Sequence, residues 1–208
     1  MIEKYIQDAL ILWATIDPIG TLAIFVSQTS HMTAAERRRI AFRVVTYAGL
    51  VLLGAILVGQ IILTGMGIRL LSFQVAGGVI LFLFGLQMIF GSPSSRLRPE
   101  PDHDVAVFPL AIPATATPGA ILAVILLTDN HLYPVAVQAG TALVTVAILL
   151  VTLAILLNSG RIIAVIGMNG ASVLTKVMGM ILAALSVEFV MEALGIEQWL
   201  GAPPPAVP

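Results

Sequence analysis

The stretch IDPIG, residues 16–20, lies in the middle of an otherwise mostly apolar segment that runs from Tyr5 to Ser27. About 20 mostly apolar residues cross the hydrocarbon core of a membrane as a helix, so this segment predicts a span. Asp17 is ionisable, and a charge at the centre of a span costs about 2.5 to 3.5 kcal/mol. Pro18 lacks a backbone donor and clashes with the carbonyl four residues earlier. The first helix is therefore predicted to be kinked or unwound, with a carboxylate at the break.

The rest of the chain has the composition of a membrane protein. Of its 208 residues, 59% are apolar and 10% are charged, whereas soluble domains carry about 25% charged residues. A water-soluble enzyme is thereby excluded. Because lipid cannot satisfy backbone polar groups, the spans must be helices. The predicted fold is an all-α integral membrane protein with six transmembrane helices, the other five being Ile40 to Leu63, Ile68 to Phe90, Val105 to Thr128, Leu132 to Leu157, and Val173 to Leu194.

Local signals mark some of the span ends. Thr33 and Glu36 have the spacing of a capping box just before the second span, and Gly91 stops the third. The polar residues 158–160 end the fifth span in a similar way.

The net charge and the residue composition limit which molecules the protein can bind. The net charge is -1 and the basic residues form no stripe, so nucleic acid is excluded as a partner. The chain has no cysteine, and its three histidines, His31, His103 and His131, fall in loops on different sides of the membrane. No metal and no cofactor is therefore predicted. The expected partners are the lipid bilayer and a small-molecule substrate, and a homo-oligomer stays open.

Basic residues in loops predict the orientation of the spans. Two of them, Lys4 and Arg69, fall on one side, and eight fall on the other: Arg37, Arg38, Arg39, Arg43, Arg96, Arg98, Arg161 and Lys176. The larger group is expected in the cytoplasm. This predicts a multi-pass protein of the cell inner (plasma) membrane with both termini outside the cytoplasm. The arginine run at 37–39 is interpreted first as a topology determinant and second as a lipid headgroup site.

The two halves of the chain resemble each other. At an offset of 100 residues, Asp17-Pro18 falls on Thr117-Pro118, and at an offset of 101, Gln87 falls on Glu188. Three spans in each copy would insert the second copy upside down, as in many secondary transporters. The predicted organisation is a first three-helix repeat at 1–90, a cytoplasmic linker at 91–104, an inverted second repeat at 105–195, and a Pro-rich tail at 196–208.

Two interrupted helices in equivalent positions predict a binding site between the repeats. The fourth span carries Pro109, Pro113 and Pro118 within ten residues, and its predicted kink matches the break at Asp17. Both kinked helices could instead serve packing, with Asp17 capping the broken segment. The candidate substrate-binding residues are Asp17, Pro18, Gly20, Thr21, Thr117, Pro118 and Gly119.

Two acidic residues are candidates for proton coupling, Asp17 and Glu188. Glu188 lies about two turns from the outer end of the sixth span, where it could titrate or extend to the interface beside Glu192. Its counterpart Gln87 is interpreted as an interhelical hydrogen-bond donor rather than a ligand.

Several motifs resemble the MarC family of bacterial and archaeal inner-membrane proteins. They are IDPIG at 16–20 with Phe25, AGG at 76–78, FPLAIP at 108–113 with PGAI at 118–121, and VLTKVMG at 173–179. The resemblance implies six spans in a 3+3 inverted repeat akin to that of LysE-type exporters. For the archaeal SnatA relatives it implies transport of small neutral amino acids such as glycine and alanine. Thr21, Ala23 and Thr117 stand where the family usually has Asn, Pro and Gly.

The sequence therefore favours a secondary transporter or exporter of a small neutral metabolite, with amino acids as the leading class and a proton as a candidate driving ion. The alternative is a membrane-embedded interaction or regulatory protein whose kinks serve only packing. An intramembrane enzyme is disfavoured, because neither a metalloprotease motif nor a nucleophile elbow is present.

Overall fold

The computed structural model describes residues 1–91 and 104–196, and within these ranges every regular element is helical. The predicted all-α class is thereby confirmed. Residues 92–103 of the predicted linker, with His103, and residues 197–208 of the predicted tail lie outside the described residues. In chain order the elements are α1 (Ile2–Ile16), α2 (Pro18–Gln28), α3 (Ala34–Gly65), α4 (Leu70–Phe90), the irregular π-type segment π1 (Ala106–Thr115), α5 (Pro118–Leu127), α6 (Val135–Leu157) and α7 (Ser159–Ala193).

The described helices provide five or six membrane spans. Five segments are long and apolar enough to cross a bilayer: Ile2–Gln28, Ala34–Gly65, Leu70–Phe90, Val135–Leu157 and Asn169–Ala193. The sixth consists of π1 and α5 together, which are bent by 54° at their junction. We call the side at which α1 begins the N-terminal side and the side at which α4 ends the linker side.

The predicted capping box at the start of α3 is confirmed. The Glu36 backbone N–H donates to Thr33 Oγ1 at 3.4 Å, and the Thr33 backbone N–H donates to Glu36 Oε2 at 2.8 Å. The expected stop at Gly91 is confirmed too, because this residue is the C-cap of α4.

The last helix starts earlier than the sequence indicated. The sixth span was expected from Val173, but α7 begins at Ser159 and is interrupted at Gly167, where φ is +66°. A short helix at 159–166 therefore precedes the span at Asn169–Ala193. Most of the residues from 161 to 168 are apolar, so the chain resumes a helix directly after the polar turn that ends α6.

The core of the molecule is made by helices from different halves of the chain. The largest interface joins α4 and α7, and α3 packs against α6, π1 and α5. At the α4–α7 crossing the backbones nearly touch, because a Cβ added at Gly85 would lie 2.9 Å from the carbonyl oxygen of Gly179. Small residues at a crossing let helix backbones approach this closely.

We expect Gly85→Ala to destabilise the protein by about 1 to 3 kcal/mol, because the added methyl group meets backbone atoms that cannot turn aside. Gly54→Ala is the matched control, since a Cβ at Gly54 has nothing within 4 Å. Removing a mid-helix glycine there should stabilise by about 0.5 to 1 kcal/mol. Thermal unfolding in detergent measures both changes. Equal midpoints for the two variants would contradict the close α4–α7 crossing.

Candidate functional site

The first span breaks at Asp17. This residue has a left-handed backbone conformation, with φ 49° and ψ 71°, and it both ends α1 and begins α2. Aspartate is one of the few residues other than glycine that visit this region. Its Oδ1 accepts the backbone N–H of Gly20 at 3.0 Å, and Pro18 occupies the first position of α2. The sequence Asp-Pro thus ends one helix and caps the next.

The second half of the chain has a similar side-chain cap followed by proline at Thr117, although Thr117 is in an extended conformation. Here π1 ends and α5 begins, with Thr117 Oγ1 accepting the backbone N–H of Ala120 at 2.9 Å and Pro118 at the first helical position. In π1 the backbone is extended at Phe108 and Ile112, the two residues that precede prolines. Both helices α2 and α5 therefore start with a side-chain cap followed by proline, at positions 100 residues apart.

Two threonine hydroxyls connect the broken regions. Thr117 Oγ1 donates to the carbonyl oxygen of Thr15 at 2.7 Å, and Thr21 Oγ1 donates to the carbonyl oxygen of Ala114 at 2.9 Å. All four residues are buried. A buried carbonyl without a partner costs about 1 to 3 kcal/mol, so these bonds stabilise the interruption of both helices. They also fix the two breaks against each other.

A cavity of about 260 Å³, which we call the central cavity, lies where the breaks meet. Of the predicted site residues, four line it: Asp17, Gly20, Thr21 and Pro118. The remaining lining residues are Ile24, Phe84, Gln87, Met88, Pro113 and Ala114. The cavity therefore offers a carboxyl group and an amide within mostly apolar walls. It is slightly smaller than typical ligand pockets, which begin at about 300 Å³, so it suits a small solute.

The other three predicted site residues lie beside the cavity rather than in its lining. Pro18 is buried in the first turn of α2, and Thr117 uses its hydroxyl for the cap and for Thr15. Gly119 packs against Leu81, whose Cδ1 would lie 2.2 Å from an added Cβ. These residues shape the breaks that form the cavity.

Gly20 has a steric role next to Asp17. A Cβ built on Gly20 would lie 1.9 Å from Asp17 Oδ2, so any side chain at position 20 would displace the carboxyl group. Glycine is thus required for the carboxylate to fold over the start of α2.

Gln87 and Glu188 differ in position despite their sequence match. Gln87 lines the central cavity, and its expected interhelical hydrogen bond stays a prediction. Glu188 is exposed on α7 and is not among the lining residues. The nearby Glu192 accepts a hydrogen bond from the amide of Gln74 at 2.9 Å.

A second group of buried polar residues, absent from the predicted site, lies on the N-terminal side. Lys4 Nζ contacts Asp8 Oδ2 at 2.7 Å, and Thr141 Oγ1 donates to the same oxygen at 2.7 Å. Lys4 and Asp8 are 8% and 1% exposed. We call Lys4, Asp8 and Thr141 the N-terminal polar cluster. The spacing of Lys4 and Asp8, four residues apart on a helix, is the signal that could have indicated this pair.

The N-terminal polar cluster joins three parts of the chain. Lys4 Nζ also donates to the carbonyl oxygen of Leu127 at 3.3 Å and lies 4.2 Å from the ring centroid of Tyr133. Burial, followed by the charge of Asp8, raises the pKa of the Tyr133 hydroxyl. The cluster therefore holds α1, the end of α5 and the start of α6 together. Asp8 is nine residues from Asp17, which is about 13 Å along a helix, so the two acids form no dyad.

Among residues 1–91 and 104–196, no group of three or more His, Asp or Glu side chains is arranged to hold a metal ion.

The helices and the paired breaks define a polytopic α-helical membrane protein with a cavity between interrupted spans. A family model described as MarC family integral membrane protein matches residues 2–200. The chain belongs to the MarC family, as the motifs indicated.

Its relatives are similar over nearly their whole length. The UPF0056 inner membrane protein YhgN of Escherichia coli is 33% identical over 202 residues, which cover 95% of this chain and 98% of the relative. A UPF0056 membrane protein of Pyrococcus horikoshii is 34% identical over 187 residues, covering 88% and 90%. The UPF0056 inner membrane protein MarC of Citrobacter koseri is 26% identical over 201 residues, covering 89% and 91%. No solved structure matches the chain.

Proposed function

We propose that this protein is a secondary transporter or exporter of a small neutral metabolite, with small neutral amino acids as the leading class. The observation that carries the proposal is the central cavity, which brings a carboxyl group to the meeting point of two interrupted spans. Ionisable groups inside spans are costly and mark substrate or ion pathways. Interrupted helices in corresponding halves are typical of midplane transport sites.

The proposed architecture is a 3+3 inverted repeat. Its support is the equivalent pair of caps at Asp17 and Thr117, each followed by proline. Further support comes from pairing between halves, because α3 packs on α6 and α4 packs on α7. In a two-fold arrangement of three-span units, equivalent helices meet at the symmetry axis. The central cavity would then lie between the repeats.

The lining of the cavity favours an amine-bearing solute with a short apolar side chain. Asp17 is an acidic residue in the lining, and the described residues that line the cavity include no lysine or arginine. The ammonium group of an amino acid would bind at Asp17, while Ile24, Phe84 and Met88 would pack against its side chain. Asp17 would also take up and release the coupling proton.

Transport requires that the cavity open to one side at a time. The lining residues from the last turns of α4, such as Phe84 and Met88, lie toward the linker side. On the opposite side, α1 and α5 pack through Leu12, Ile16 and Ala120, and the N-terminal polar cluster closes the end of the bundle. We assign this structure to a state that faces the linker side.

We propose, from the distribution of basic residues, that the linker side faces the cytoplasm and that both termini lie outside. Single cysteines can test this assignment, since the chain has none of its own. We expect an impermeant thiol reagent to label Ser30→Cys from the cytoplasmic side and His131→Cys from the outer side; both positions are exposed. Labelling of both from one side would contradict the span assignment.

Radiolabelled glycine or alanine flux in proteoliposomes tests the function. We expect saturable uptake that protein-free liposomes lack. Phe84→Trp should raise the KM because the larger ring enters the cavity, whereas Phe82→Trp is a matched control two residues away that does not line it. Absence of saturable flux for a panel of small solutes would favour the interaction or regulatory alternative.

A further inference from the structure

A cavity separate from the central one lies on the linker side, where α3 and α7 begin and α6 ends. Its volume is about 470 Å³, and its lining includes three arginines, Arg37 and Arg38 from α3 and Arg161 from α7. Among the described residues that line it, none is acidic. We call this the arginine cavity.

The guanidinium groups of the arginine cavity are not neutralised within the described part of the chain. Among residues 1–91 and 104–196, none of Arg37, Arg38 and Arg161 forms an ion pair with an acidic side chain. The nearest acid in sequence, Glu36, accepts hydrogen bonds from the backbone and hydroxyl of Thr33. Three guanidinium groups from two helices, none paired with an acid in the described part of the chain, therefore border one cavity.

A buried hydroxyl gives an independent indication of a ligand. Ser159 is 4% exposed and is part of the lining. Its side chain has no hydrogen-bond partner among the described residues. Buried hydroxyls are normally paired with protein or bound groups, so this donor is available to an anion in the cavity.

The position of the cavity matches the headgroup region of a bilayer. Leu156 and Leu157, the last residues of the span α6, form part of its lining. Leu157 is 41% exposed, as is usual for a side chain that faces lipid. Arginines are thus placed at the level where the apolar part of the span ends, beside a surface suited to acyl chains.

We propose that the arginine cavity binds the phosphate group of an anionic phospholipid headgroup. Arginine guanidinium groups bind phosphate oxygens through charge-assisted, often paired hydrogen bonds. Ser159 donates a further bond to the same group. The exposed Leu157 side chain favours a lipid over free phosphate because it would contact the glycerol and the first methylenes of the acyl chains. The site does not depend on the transport proposal.

Native mass spectrometry of the full chain in detergent tests the site with dioctanoyl phosphatidylglycerol as the probe. Dioctanoyl phosphatidylcholine and inorganic phosphate serve as comparison ligands. We expect Arg161→Gln and Arg38→Gln each to weaken phosphatidylglycerol binding about fivefold, the effect of one basic residue near an anionic lipid. Arg39→Gln is the matched control, since Arg39 adjoins Arg38 but does not line the cavity. Its binding should equal that of the unaltered chain.

Three results would overturn the proposal. Equal weakening by Arg39→Gln would show that only overall surface charge matters. Equal binding of phosphatidylcholine would show that the negative headgroup is not selected. Displacement of phosphatidylglycerol by inorganic phosphate at equal concentration would identify the occupant as a free anion. Thermal unfolding of each variant without lipid confirms that the fold is retained.

Discussion

Asp8→Asn is expected to lower the free energy of unfolding by about 3 to 5 kcal/mol, the cost of leaving a buried charge without its partner. The variant keeps an oxygen that can accept from Thr141, but the Lys4 ammonium loses its counter-charge in a site where it is 8% exposed. Glu3→Gln is the matched control, because it removes one acidic charge from an exposed position in the first turn of the same helix. Chemical unfolding in detergent micelles measures both changes.

The double variant Lys4→Met with Asp8→Leu separates charge from packing. It removes both buried charges and keeps apolar volume, so it should recover most of the stability lost by Asp8→Asn. Similar stability of Asp8→Asn and Glu3→Gln would show that the Lys4–Asp8 pair does not stabilise α1 against α6. The Lys4–Asp8 pair is also proposed to close the N-terminal side of the bundle. Its loss should therefore make that side more accessible to solvent.

The fold class could be predicted from sequence because the membrane imposes simple rules. Long apolar segments must become helices, and the same rule indicated most span ends within a few residues. The exceptions are the starts of α3 and α7, which lie before the predicted Ile40 and Val173. Helix starts could also be predicted from the sequence. Thr33 with Glu36, and the proline after Asp17, begin helices through contacts with residues next to them in the chain. Such local signals depend on no distant part of the chain.

The central cavity and the N-terminal polar cluster are formed by residues that are far apart in the sequence. For this reason they could not be predicted in full from the sequence. Asp8 accepts a hydrogen bond from Thr141, which lies 133 residues away. Likewise Phe84 and Met88 line the central cavity only because α4 packs beside the breaks. The short helix before Gly167 was missed for a different reason, because its start follows a polar turn that resembles a loop.

Substitution of Asp17 tests whether its carboxyl group carries the coupling proton and binds the substrate. Asp17→Asn keeps the side-chain oxygen that caps α2 through Gly20, so the helix break should persist. The amide cannot bind and release a proton, and it has no negative charge for an ammonium group. We therefore expect pH-gradient-driven accumulation of glycine or alanine in proteoliposomes to fall to the level of protein-free vesicles. Glu188→Gln removes the other candidate proton-coupling group, which is exposed outside the cavity, and should leave accumulation unchanged.

If Asp17 has only a structural role, two variants should show a different combination of transport activity and stability. If the carboxyl group only caps α2, Asp17→Asn should transport normally, and Asp17→Ala should lose about 1 kcal/mol of stability with the cap. If Asp17 carries the proton, both variants should lose gradient-driven accumulation, while Asp17→Asn keeps the thermal stability of the unaltered protein. Flux measured over a range of internal and external pH, beside the unfolding midpoint of each variant, separates the two roles. Gradient-driven accumulation retained by Asp17→Asn across that range would assign the coupling proton to another group.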